Sequence, residues 1–378
     1  MKINQISFYD QFNCIGQSCP ENCCMGWFIP LTAEDIKRLR RERGMLGLRL
    51  FAATGGWQRD HFNEDCRYCP FLNKENLCHL QLKKGHSFIP EVCREYPRFY
   101  RNYGPLEERY LDLSCPVVCG LFYDNMQDLH ISSTQEEPFS GCYITNDDPV
   151  LLQRLLSIRD ELLAALSNLS GYEDLQKTLL AITAYAGAMQ HACLNYDASL
   201  ESLESFETFR RRLEEGQIVL RPSDPVLANA FPFHISVYNR LMGSSFYHEN
   251  LSFSNATLHG LCRLFLDDFS RQLSTQKGWE KLANAYFLQY PEHARLYGAY
   301  LAYYLFMYFL RTYETYSFVK QVRTGLIHTN MVFLFHVLFS QKNQKPGPAD
   351  LIRIISVYNR RAYFSDSVLD DMYKALDS

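Results

Sequence analysis

The placement of cysteine constrains this chain more than any other feature. Of 13 cysteines in 378 residues, ten (positions 14, 19, 23, 24, 66, 69, 78, 93, 115 and 119) fall in the first 119, and only Cys142, Cys193 and Cys262 follow. In a secreted mini-protein such density would mean disulfides. Here the chain is long, the total is odd, and the opening MKINQISFYDQFNC lacks the apolar run of an export signal. The expectation is a reducing, cytoplasmic setting in which clustered thiols bind metal or an iron–sulfur cluster. Burial as small hydrophobes serves for Cys142, Cys193 and Cys262. It does not serve for cysteines set among Gly, Pro and polar loop residues.

Spacing narrows the choice of metal. Cys66-x2-Cys69 is a single knuckle, whereas zinc ribbons use two. Thiols scattered over a hundred residues suit a cluster, whose several iron corners accept ligands from several directions. The ferredoxin C-x2-C-x2-C run is absent, as is the C-x3-C-x2-C of radical enzymes, since Gly26 and Phe122 stand where a third Cys would be needed. Zinc stays open as the alternative. His61 and His79 flank the cysteines and could replace a thiolate.

The two parts of the chain differ in kind. Hydrophobic residues make up 47%, enough to fold a sizeable core. Residues 1–119 carry 16 Lys+Arg against 14 Asp+Glu, and 120–378 carry 22 against 28, within totals of 38 and 42 and a net charge of −4. That balance argues against a non-specific nucleic-acid binder or an anionic-membrane binder. The strongly apolar stretch 297–310 is shorter than the 18 or more residues of a membrane span, so no membrane insertion is expected.

The division expected is a Cys-rich, loop-rich metal or cluster domain over 1–130 and an α-helical domain over 131–378, a mainly α (α+β) fold. The polar run from 133 to 138 and beyond reads as the linker. In the first part Thr32 caps a helix with Asp35 at N3, running to about Arg43 before Gly44. A hairpin turns at Gly104-Pro105, and Pro116 opens a further helix. In the second part Asp148-Pro149 starts the first of a series of amphipathic helices, expected at 173–194, 204–215, 257–274, 278–289, 291–312, 315–325, 327–341, 347–358 and 365–376. No Gly-rich loop follows a strand, which argues against a Rossmann-type domain.

Several motifs together resemble the flagellin lysine-N-methylase family: Phe12-Asn13-Cys14-Ile15, Cys19, Cys23-Cys24-x-Gly26-Trp27, Cys69-Pro70-Phe71-Leu72, Leu77-Cys78, Gly85, Cys93-x2-Tyr96-Pro97-Arg98 and Ser114-Cys115-Pro116. The likeness covers about a third of the chain, with vaguer echoes near 290–310 and in Ser356-Val357-Tyr358-Asn359-Arg360. A looser kinship exists with small zinc- or iron-chelating proteins. The resemblance implies methyl transfer from S-adenosylmethionine to lysines of flagellin, with a [4Fe–4S] cluster required. It also implies Cys14, Cys19, Cys23, Cys24, Cys69, Cys78, Cys93 and Cys115 as the metal-site candidates; Cys66 and Cys119 lie outside its pattern. One such cluster takes at most four thiolates, so four are spare or a second centre exists.

Other candidates carry two readings each. Arg98 could hold a carboxylate of the methyl donor, or balance the charge of a thiolate-bound cluster, the preferred role. Trp27 could stack on adenine or pack beside Cys23 and Cys24, the latter preferred. The basic run from Lys37 to Arg43 reads as a solvated helix face before a partner surface. The aromatic band from Tyr297 to Phe309 surrounds its helix and so is expected in the core rather than lining a lysine channel. No residue stands out as the catalytic base.

Overall fold

The computed structural model describes residues 2–25, 29–62, 68–135, 148–194, 200, 202–219, 260–261, 276–342 and 345–362. Trp27, Cys66, Cys142, Cys262 and the helices expected at 257–274 and 365–376 lie outside these wholly or nearly so.

The first strand is β1 (Lys2–Ile6), followed by β2 (Ile29–Pro30) and helix α1 (Ala33–Leu39). The capping box read from Thr32 forms: the Asp35 amide donates to Thr32 Oγ1 at 3.1 Å, and the Thr32 amide donates to Asp35 Oδ2 at 3.1 Å. The chain differs from expectation just after. The helix stops at Leu39, and Gly44, at φ +66°, opens a second one, α2 (Gly44–Ala53). Then come β3 (His61–Phe62), α3 (His79–Lys84) and α4 (Glu91–Glu95). β4 (Arg98–Asn102) and β5 (Leu106–Leu111) form the expected hairpin, with Gly104 at φ +79° in its turn. Cys115 precedes α5 (Pro116–Asn125), whose first residue is the expected proline.

The hairpin belongs to a larger sheet of order β4-β5-β1-β6, in which β1 runs parallel to β5. Its fourth strand, β6 (Ile131–Gln135), pairs antiparallel with β1. Residues 133–135 are therefore sheet edge rather than the start of a linker. Thr134 and its neighbours are polar because β6 is largely exposed, whereas Ile3 and Ile6 on β1 are buried.

The helical body comprises α6 (Pro149–Ser167), α7 (Tyr172–Leu194), α8 (Phe206–Glu214), α9 (Gln276–Gln289), α10 (His293–Tyr308), α11 (Thr312–Thr315), α12 (Phe318–Lys342) and α13 (Pro348–Ala362). Asp148 caps α6, accepting from the Val150 and Leu151 amides. α12 is continuous where two helices were expected. Its Gly325 does not break the helix: a Cβ there would lie 2.5 Å from the Tyr304 ring, so the missing side chain lets α10 and α12 approach. The segment Phe318–Gln341 is long and apolar enough to cross a membrane, which the sequence reading did not foresee, but 83% of its apolar window is buried inside the fold. That is the profile of a core helix. The mainly α fold with a small sheet is as expected.

Two apolar cores result. The larger gathers the sheet, α5 and the helical body, and it contains the aromatic band: Tyr297, Tyr300 and Tyr303 are buried. Tyr303 stacks on Phe8 with centroids 5.8 Å apart and its hydroxyl donates to the Leu111 carbonyl at 2.5 Å. The smaller core holds Leu39, Leu46, Leu50, Phe62, Phe71 and Ile89, together with Cys69; Cys24, Cys78 and Cys93 pack against it.

Candidate functional site

The cysteines are delivered by short elements and loops tied to one another by backbone hydrogen bonds. The Cys69 amide donates to the Cys24 carbonyl at 2.7 Å, and the Cys24 amide to Asn22 Oδ1 at 2.9 Å. Asn22 Nδ2 in turn donates to the Asn76 carbonyl at 2.9 Å, holding the loop that leads to Cys78. Leu72 and Cys78 form an isolated antiparallel bridge. Cys93 lies on α4, and Cys115 sits at the start of α5.

Cys23 is the hub of the set. The Cys24 thiol is placed to share its one proton with Cys23 or with Cys69. That sharing lowers Cys23 to about 7 and Cys69 also, while Cys24, the group that keeps the proton, is held well above the ordinary thiol value. Negative charge on Cys23 is felt at Cys19, Cys78, Cys93 and Cys115, which burial in the first place pushes up, Cys115 to about 12. Cys14, exposed, acts on Cys19. The eight thiols expected from the motif pattern thus form an electrostatically linked series, from Cys69 in the smaller core to Cys115 in the larger. Cys119 is deeper, donating to the Leu113 carbonyl at 2.8 Å. Cys193 stands apart on α7, and none of the described cysteines is in a disulfide.

The cation beside the thiols comes from the far end of the chain. Arg360, on α13 and 3% exposed, donates to the carbonyls of Glu21 at 2.6 Å and Asn22 at 3.2 Å, and its charge lowers Cys19 and Cys23. Its carboxylate neighbour is Glu21, at 3.8 Å. Arg98 sits elsewhere in the region, its guanidinium 5.0 Å from the Phe12 ring centroid and 6.0 Å from that of Tyr9. His61 pairs with Asp60 at 3.0 Å.

Three further groups near Cys115 had no sequence role assigned. Tyr96 and Ser114 share a hydroxyl hydrogen bond of 2.9 Å, and the Ser114 amide donates to Asp112 Oδ1 at 2.6 Å. Burial raises both the Tyr96 phenol and the Asp112 carboxyl, while Arg360 opposes each shift. Arg360 is separated from Asn22 by 338 residues, so no local spacing could reveal it. The one hint was its place in the family-like segment ending at Arg360.

Comparison with known proteins supplies what geometry alone does not. The family model described as the FliB lysine N-methylase C-terminal domain matches residues 153–378, more than half of the chain. The chain belongs to the FliB lysine N-methylase family. The matched region of this FliB-family chain is its helical body, which carries Arg360 into the thiol site. It is 25% identical over 125 residues to the flagellar biosynthetic protein FliU of Salmonella muenchen, a match covering 31% of this chain and 73% of that protein. Lysine-N-methylases of Salmonella typhimurium and Salmonella choleraesuis are also 25% identical over 125 residues, 31% of this chain and 31% of each. The match thus spans about a third of the length of those two curated relatives. No solved structure matches.

The donor set of this FliB-family site suits a thiophilic metal centre in chemistry. It offers soft thiols in excess, a proton-sharing trio and a fixed guanidinium to offset anionic charge. Among the described residues, no three Cys, His, Asp or Glu side chains stand close enough together to hold a single ion as they lie. A multi-iron cluster, whose corners are spread out, asks less of that proximity than one tetrahedral ion does. Clefts also open on the helical body, one of about 740 Å³ lined by Tyr123, Asp124, Asp128, Glu292 and Arg295, but that cleft includes none of the candidate residues.

Proposed function

We propose that this protein methylates lysine side chains of a protein substrate, flagellin, using S-adenosylmethionine as the methyl donor and a [4Fe–4S] cluster held by thiolates of its N-terminal third. Family membership carries the proposal, since lysine N-methylation is what the family model is described by. The flagellar connection rests on the likeness to FliU.

Three of Cys14, Cys19, Cys23, Cys24, Cys69, Cys78, Cys93 and Cys115 would hold the cluster, which leaves its fourth iron without a protein ligand. Cys23, Cys24 and Cys69 are the first choice because they already exchange hydrogen bonds. When bound, the cluster would supply an open iron corner for the amino and carboxylate groups of the methyl donor. The chain's own residues do the rest. Arg360 balances anionic charge from a position fixed by two backbone carbonyls. A lysine ammonium has no lone pair, so the substrate must arrive as the neutral amine, and loss of water from a closed site favours that form. Holding donor and amine in line can supply much of the rate.

The test is to incubate anaerobically reconstituted protein with flagellin and S-adenosylmethionine and to weigh the flagellin. A gain in methyl-mass steps, absent without the donor, is the expected result; an unchanged mass contradicts the proposal.

A second reading, a non-enzymatic zinc- or iron-binding structural protein, draws on the same thiols, which would have to draw closer together to close on one ion. It predicts stoichiometric zinc, no sulfide and no methyl gain.

A further inference from the structure

Helix α2 buries one side and presents the other to solvent. Leu46 and Leu50 anchor it in the smaller core. On the opposite side Met45, Leu48 and Phe51 recur every third residue and are 75%, 63% and 50% exposed. Positions so spaced are neighbours along one helix face, so the three make a single apolar stripe. A stripe of this kind on a soluble surface marks a place of contact.

The segment around it is cationic. Lys37 on α1, Arg40, Arg41 and Arg43 in the connection to α2, and Arg49 on α2 itself are all exposed. Of the carboxylates on α1 and in the connection to α2, Glu42 is taken by Lys84 at 2.8 Å, buried Asp35 is held by Arg38, and Glu34 is exposed in the first turn of α1. Helix α2 itself touches the thiol site through Arg49. Arg49 donates to the Pro70 carbonyl at 2.9 Å, and its guanidinium lies 5.5 Å from the Phe71 ring, the two residues that follow Cys69.

We propose that this face of α2 docks an acidic amphipathic helix of the protein substrate, holding it next to the cysteine site. The proposal rests on the reading above that the chain acts on a protein. An apolar stripe of about two turns complements the i, i+3, i+7 anchors of a partner helix, and the basic side chains complement acidic flanks. A second copy of the chain would set one cationic segment against another, so the occupant is a different, acidic molecule.

The probe is a fluorescent synthetic helix of about five turns, with Leu at helical spacing and Glu on its flanks, and a second peptide with Lys in place of Glu. Anisotropy should show the full-length protein binding the Glu peptide and not the Lys peptide. Leu48→Ser with Phe51→Ser, and separately Arg41→Glu with Arg43→Glu, should each weaken binding at least tenfold. Because these side chains are exposed, thermal melting should be unchanged. With flagellin as substrate, the same variants should raise KM and leave kcat alone. The proposal is overturned if both peptides bind equally, if neither binds, or if the variants bind normally. It is also overturned if the variants dissolve a dimer, or abolish binding to anionic phospholipid vesicles while peptide binding is absent. Peptide binding decides the docking surface whether or not methylation is detected, so the two proposals fail separately.

Discussion

At the scale of single residues, the account depends on buried groups whose partners are few and fixed. Half-buried Cys24 is the clearest, because its one thiol proton is shared with Cys23 or Cys69. If these thiols carry a metal, Cys24→Ser removes a ligand and with it folding energy of the smaller core. Protein purified from this variant should hold less metal and melt at a lower temperature, whereas Cys193→Ser on α7 should change neither. The buried pair of Arg159 and Glu108, 2.7 Å apart and both almost fully enclosed, tests the larger core. Arg159 also donates to the Phe306 carbonyl at 3.4 Å, which joins α6 and β5 to α10. Losing one partner strands a buried charge, at a cost of about 3–5 kcal/mol, so Arg159→Leu alone should destabilise by that order in urea. Combining it with Glu108→Leu should cost less than the two single changes added together. Single residues were also where the sequence was least informative about the site. It named the thiols by type and spacing, but Arg360, Asp112 and Tyr96 act through contacts that only the folded chain creates.

At the scale of elements, legibility followed local chemistry. The capping box at Thr32, the turn at Gly104-Pro105 and the proline starts of α5 and α6 were readable because each signal lies within a few residues. Gly44 misled because it opens α2 rather than ending α1, and Gly325 lies inside the continuous α12, where it admits Tyr304. β6 was missed since an exposed edge strand needs no apolar alternation. The parallel pairing of β1 with β5 was missed because no turn joins parallel neighbours. Helix α12 also carries a pH dependence. Burial lowers both His328 and His336 to about 3, His328 against the Tyr358 hydroxyl at 2.8 Å and His336 against that of Tyr297 at 2.9 Å. In the unfolded chain these rings titrate near 6.5, so below that pH the unfolded state binds more protons than the folded one. Their contribution to stability is complete above about pH 6.5 and declines on acidification towards pH 3, by up to roughly 1.4 kcal/mol per pH unit for each ring. His328→Gln should flatten the urea stability profile between those limits. An unchanged slope would mean the ring is already charged in the native protein.

At the scale of the whole molecule, the thiol site is where the N-terminal third meets α13. Loops between β1 and α5 bring the sulfurs, α13 brings Arg360, and the two apolar cores close on either side. The N-terminal cysteine pattern and the helical body that matches the family are therefore halves of one site, each holding the other in place. The division of composition near residue 130 showed that two kinds of segment exist; it could not show that they converge, since no sequence-local signal spans 338 residues. The most direct test of that convergence as a metal centre is iron and acid-labile sulfide per chain, measured on the full-length protein purified without oxygen. The account predicts brown protein with about four iron and four sulfide per chain, and a marked loss of both in Cys24→Ser. Colourless protein holding zinc without sulfide, or holding no metal, would contradict it.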